Sequence, residues 1–193
     1  AFFESDDFTE YLKKEFAVFL KLNENAGKYI TVNGKMLDYN SLIAETDTLQ
    51  LNINDEKDGH VYGFHLTFVR WKEKMKENYC SYFLDDSQIE HFEKTTTLNN
   101  KDTDFHHSVY VISSYFNSFV PPQKPKTKTK HKTEIENQNL IYFPDFRGDK
   151  TEKDQVFKQL LKKVKVWILE KEKEYISHVA GEELWAKFEK NGT

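Results

Sequence analysis

The residues best suited to chemistry form a run of alternating lysines. Between Pro121 and Thr133, lysine stands at Lys124, Lys126, Lys128, Lys130 and Lys132, with no acidic residue among them. In extended backbone every second side chain shares a face, so the five ammonium groups would line one edge. Such an edge meets phosphates, whether of a nucleotide or of DNA, by an attraction that weakens with salt. The same run contains Pro121, Pro122 and Pro125. Prolines and like charges resist compact order, so in isolation the run reads as a solvated loop. A loop that orders only around a phosphate satisfies both readings. No aromatic residue interrupts the run, which argues against a platform for stacking single-stranded bases.

Two weaker constellations accompany it. Arg70-Trp71, followed by Lys72 and Lys74, ends an apolar alternation and offers cations to a partner, although a strand terminus explains it as well. Asp104, His106 and His107 stand near the start of another strand pattern. Adjacent residues on a strand point to opposite faces, so the two histidines cannot share one metal ion. They are read as one surface and one core histidine of a sheet, and no metal site is expected. His60, His65 and His91 cannot be placed relative to them from spacing alone. Cys80, the single cysteine, lies in the apolar run Tyr79–Leu84 and reads as a buried, inert thiol. Only seven glycines are present, none in a GxGxxG or P-loop arrangement, and GxSxG, HExxH and CxxC patterns are missing. The chain carries no complete active-site motif.

The elements that must position these groups are legible by period. Asp6 and Asp7 before Phe8, Leu12, Phe16, Phe19 and Leu20 predict a helix whose acidic start suits the macrodipole. Lys28–Val32 reads as a strand and Asn33-Gly34 as its turn. A short helix is expected in Tyr39–Ala44. Leu49, Leu51 and Ile53 write a strand that stops at Asp55–Gly59. The run His60–Trp71 puts Tyr62, Phe64, Leu66 and Phe68 on one face of a half-buried strand. Tyr79–Leu84, Gln88–Thr97 and Phe105–Ser113 follow as neighbouring strands, and Asn139–Phe143 as one more. Val156, Leu160, Leu161, Val164, Trp167 and Ile168 predict a long helix, continuing through Tyr175 and Val179, which Gly181 would interrupt. Trp167, Tyr175 and Trp185 carry its apolar signal past the small sheet, toward a neighbouring domain or a second copy.

The fold class expected is therefore α+β: a mixed, mainly antiparallel sheet with a short N-terminal helix and a long C-terminal helix. Residues 1–150 are read as the sheet domain, and 151–193 as a helical extension packing on it or on a partner. A hydrophobic share of 38% with 16 Phe and 10 Tyr supports a real core. A net charge of −4 gives no whole-chain reason for nucleic acid or membrane binding. The lone cysteine and the absence of a long apolar stretch or signal peptide point to a reducing, cytoplasmic location without a membrane. Starting at Ala1 and stopping at Gly192-Thr193, the chain reads as part of a longer protein.

Several phrases together resemble a known family: Tyr29-Ile30-Thr31-Val32-Asn33-Gly34-Lys35-Met36-Leu37-Asp38-Tyr39, Phe64–Trp71, Tyr82-Phe83-Leu84, Thr95-Thr96-Thr97-Leu98-Asn99 and Phe105-His106-His107-Ser108-Val109-Tyr110-Val111. With the two flanking helices they look like the region after the ATP-binding core in GHKL-type ATPases, the superfamily of gyrase B, heat-shock chaperones, histidine kinases and MutL. The likeness covers most of residues 8–178 and is greatest to bacterial members described as mismatch-repair-like or histidine-kinase-like. It implies a transducer-like fold, coupled to an N-terminal ATP-binding domain that lies outside this chain and that would hold ATP and magnesium. In that family a loop lysine of the transducer reaches the γ-phosphate. Lys124, Lys126 and Lys128 are the positions that correspond, and Gln123-Lys124 and Lys126-Thr127-Lys128 match the family's Gln-Thr-Lys loop only loosely. The resemblance makes this chain the non-catalytic half of an ATPase. The residues alone leave two rivals: a nucleic-acid module using Lys130, Lys132, Arg70 and Lys72 with the other loop lysines, or an interaction domain that forms a homodimer through the C-terminal helix.

Overall fold

A computed structural model of the chain describes residues 6–57, 59–75, 79–96, 98, 104–120, 151 and 154–191, with side chains of the last helix described through residue 182. The architecture is α+β, with a helix at one end, a mostly antiparallel mixed sheet, and a long helix at the other. Helix α1 spans Asp6–Leu22 and opens on Asp6 and Asp7. It buries Ala17, Val18 and Leu20, while Phe19 remains 42% exposed. Strands β1 (Thr31–Val32) and β2 (Lys35–Met36) form a hairpin about the expected Asn33-Gly34 turn, and the strand expected over Lys28–Val32 is cut to its last two residues. Its turn needs two left-handed residues, and Asn33 and Gly34 supply them at φ 52° and 78°. The helix expected at Tyr39–Ala44 is a single 3-10 turn, Asn40–Leu42, because the following strand already begins at Ile43.

The main sheet holds β3 (Ile43–Asn54), β4 (Val61–Trp71), β5 (Cys80–Leu84), β6 (Glu90–Thr95) and β7 (His107–Ile112) in the order β3-β4-β7-β5-β6. Every pairing is antiparallel except β5 with β7. The parallel pair forces the chain to cross over between β6 and β7, so β7 is inserted centrally rather than added at the edge.

Helix α2, Gln155–Asn191, covers one face. There Phe64, Leu66, Phe68, Phe83, Val109 and Val111 meet Val156, Phe157, Leu160, Val164, Trp167 and Ile168. The opposite face packs α1 and the β1–β2 hairpin against Val69, Trp71, Tyr82, Leu84 and Tyr110. The half-buried strand expected at His60–Trp71 is thus covered on both faces toward its end. Strand β5 is buried at every residue, which is why Tyr79–Leu84 reads as a continuous apolar run rather than an alternation. Gly181 does not interrupt α2. One glycine costs a helix only about 1 kcal/mol relative to alanine, and the adjacent Ala180, Glu182, Glu183 and Leu184 are good helix formers. The strand expected at Asn139–Phe143 lies outside the described residues.

Candidate functional site

Lys124, Lys126, Lys128, Lys130 and Lys132 lie outside the described residues, but the chain on either side of them is well placed. After β7 a 3-10 helix, Ser114–Ser118, turns the backbone over the core. Ser113 starts it by accepting a hydrogen bond from the Tyr115 amide at 3.1 Å. Tyr115 and Phe116 are fully buried, and Phe119 is nearly so. Phe157, in the first turn of α2, sets its ring at a tilt against that of Phe119, with centroids 4.9 Å apart. The Tyr115 hydroxyl donates to the Asp154 carboxylate at 3.0 Å. Tyr115 and Phe119, before the lysine segment, and Asp154 and Phe157, at the start of α2, therefore meet in one cluster.

Farther along α2 the apolar stripe ends at Ile168 and a polar pad begins. Lys171 reaches Asp47 at 2.7 Å, Glu174 at 3.0 Å and Glu45 at 3.6 Å. Its hydrogen bond to Asp47 holds its ammonium well above the ordinary lysine range and pulls the Asp47 carboxyl down. Arg70 pairs with Glu45 at 3.2 Å and lays its guanidinium 5.1 Å from the Tyr175 ring centroid. Glu45 and Asp47 are two apart on β3 and Arg70 is on β4, so all three project to the α2 side of the sheet. Arg70, considered above as a nucleic-acid contact, is committed here to fastening α2. Lys72 donates to the Ser41 carbonyl at 2.7 Å and closes the base of the sheet against the 3-10 turn.

The histidine pair sits at the same end. His106 and His107 are both buried, so the expectation of one surface histidine is corrected. They do point to opposite faces, but Tyr79 lies against His106 and the rings of Phe68 and Phe105 against His107. The Tyr79 hydroxyl is hydrogen-bonded to His106 Nδ1, and the exposed Asp104 carboxylate stands 4.0 Å from its Nε2. Burial lowers the His106 pKa. His107 stacks on Phe68 and Phe105 and donates its Nδ1–H to the Phe105 carbonyl at 3.1 Å. Its buried Nε2 has no hydrogen-bond partner among the described residues. Two neutral imidazoles walled in by aromatic rings suit a folded core better than proton transfer to a substrate. His91 binds Asp85 at 2.7 Å and fixes the β5–β6 turn. Cys80 is buried.

The pad is worth testing by itself. Lys171→Gln should destabilise the fold by about 1 kcal/mol, the scale of a partly exposed ion-pair network. The loss should shrink at 1 M salt, where the Debye length is about 3 Å. Amide exchange should quicken around residues 169–179 while 156–168 stay protected.

Sequence reasoning missed Lys171, Glu45 and Asp47, whose partnership is long-range and leaves no local pattern. Phe157 could have been found, since it continues the i, i+3, i+7 spacing of Leu160 and Val164. Among the described residues no three His, Cys, Asp or Glu side chains converge as a metal site, and no helix is long and apolar enough to cross a membrane. What results is a sheet clad by helices on both faces, with Ser114–Ser118 packed against the start of α2. No family model matches the chain, and neither a curated protein nor a solved structure matches it.

Proposed function

We propose that this chain is the transducer module of a GHKL-type ATPase of mismatch-repair-like character. A separate ATP-binding domain presents a nucleotide with its magnesium, and a lysine among Lys124, Lys126 and Lys128 reports the γ-phosphate. The observation that carries the reading is the meeting of Phe119 with Phe157 and of Tyr115 with Asp154. A pull on the segment between them acts directly on the root of α2. The polar pad at Lys171 and Arg70 is the weaker fastening of that helix, because exposed ion pairs contribute far less than the apolar contacts around Phe157. A helix gripped firmly at one end and loosely at the other can pass a local movement to whatever its far end touches.

In the longer protein that contains this chain, ATP turnover should fall about a hundredfold when the reporting lysine becomes alanine, the scale for losing one donor to a developing phosphate charge. The other two single variants should stay within a few-fold of wild type. Unchanged turnover in all three, or a longer protein without an ATP-binding domain, defeats the proposal.

A second reading rests on five lysines without an intervening acid. A DNA-binding module would use Lys124 to Lys132 alone, since Arg70 and Lys72 are engaged within the fold. It requires affinity that falls steeply with salt and disappears when all five lysines are neutralised.

A further inference from the structure

The sheet is wider than the helix that covers it. Five strands span roughly 20 Å at about 4.8 Å each, whereas one helix with its side chains is about 10 Å across. Helix α2 therefore leaves a furrow on either flank. The one over β3 is shallow, floored by Leu49, Leu51 and Trp167, with lysines and Glu170 together at its rim. The one over β5 and β6 differs in chemistry. It encloses about 230 Å³ between Leu98 on the sheet side and Leu161, Ile168 and Leu169 on α2. Ser81 adds a hydroxyl to an otherwise apolar wall.

Three lysines frame this furrow, Lys94 from β6 and Lys162 and Lys165 from α2, and among the described residues no carboxylate does. All three are exposed residues, so their stems form wall while their ammonium groups stay in water at the rim. No ion pair holds any of them among the described residues. The arrangement is the inverse of the pad at Lys171, where every cation has an anion. An apolar slot with unanswered positive charge at its mouth calls for a ligand that is apolar along its length and anionic at one end.

Size narrows the choice. Pockets that enclose drug-sized molecules run from about 300 to 1,000 Å³, and a partner helix would need a trough about 10 Å wide. A furrow of about 230 Å³ takes one narrow chain. We propose that it binds the alkyl chain of a medium-chain fatty carboxylate, with the head group held between Lys94 and Lys165. The inference is independent of the transducer reading and stands or falls without it.

The test is a calorimetric titration of the full chain with hexanoate, octanoate, decanoate and dodecanoate, each below its micelle concentration, with amide shifts followed by NMR. One saturable site is expected. Each buried methylene should raise affinity about fourfold, and the gain should level off within the series once the furrow is full. Shifts should concentrate at residues 94–98 and 161–169. Neutralising Lys94→Gln and Lys165→Gln together should weaken decanoate roughly fivefold, as two partly solvated ion pairs would. Leu169→Glu changes a residue that is 38% exposed, so the fold should survive it, and the new carboxylate should abolish binding. Lack of saturation, a climb in affinity without a plateau, or indifference to Leu169→Glu overturns the proposal. In each of those cases the furrow would be left to an acidic segment of a protein partner.

Discussion

Phe157→Ala should destabilise the protein by roughly 3–5 kcal/mol, a large share of the 5–15 kcal/mol that holds most domains together. Phe157 is fully buried. Its ring centroid lies 4.9 Å from that of Phe119, 5.2 Å from Phe83, 6.0 Å from Phe92 and 6.3 Å from Phe116. Those neighbours come from β5, β6 and the 3-10 helix and its cap, so no single element can shift to refill the space. A cavity lined by aromatic rings on separate, mutually packed elements stays largely open, and such sites sit at the costly end of the range. Phe157→Leu, which keeps most of the volume, should cost less than about 1.5 kcal/mol. Urea melts followed by tryptophan fluorescence would measure both. At about 2–4 °C per kcal/mol for a chain of this size, the alanine variant should melt on the order of 10 °C lower. Exchange should quicken together in Ser114–Ser118 and the first turns of α2, because the variant removes the contact that joins them.

Much of the fold was legible because its signals are local. The Asn33-Gly34 turn, the acidic start of α1, the alternation of β4 and the stripe of α2 each follow from residues a few positions apart. The order of the sheet was not legible, since nothing in Phe105–Ser113 says that β7 slips between β4 and β5. That insertion makes β7 the central strand and buries His106 and His107 together, so the histidine pair was misjudged. The polar pad was hidden for the same reason. Glu45, Asp47, Arg70 and Lys171 come from three elements, and each looks like an ordinary surface charge until the sheet and α2 are superposed. The groove over β6 is likewise a consequence of one helix lying on five strands, a mismatch visible only once both are counted. The lysine segment is the converse case: its composition stands out in the sequence, while its residues lie outside the described ones.

Acid should weaken the fold in two stages, and His107 sets the first. Burial drives its pKa down from the ordinary 6.5 to about 4, against the smaller upward pull of its bond to Phe105 and of the nearby Glu172. Above about pH 6.5 the imidazole is neutral in both folded and unfolded chains, and it contributes no pH dependence. Between about 6.5 and 4 the unfolded chain takes up a proton that the folded one refuses, so stability falls as pH falls. A second ring proton would gain no hydrogen bond in the folded chain, since Nδ1 already donates to Phe105 and Nε2 has no hydrogen-bond partner among the described residues. The loss should approach 3 kcal/mol by pH 4, at about 1.4 kcal/mol per pH unit, and then level off for this group. His106, whose pKa burial also lowers, adds in the same direction. Asp47 and Asp85, both held below the ordinary carboxylate range, withdraw their support only as pH falls further. His107→Gln removes the titration while keeping a polar side chain of similar length. It should start less stable at pH 7.5, yet lose about 3 kcal/mol less than wild type on the way to pH 4, so the two curves converge. Urea melts at pH 7.5, 6.5, 5.5 and 4.5 would show it. Parallel curves would mean that the acid sensitivity arises elsewhere, with His106 under Tyr79 the next group to remove.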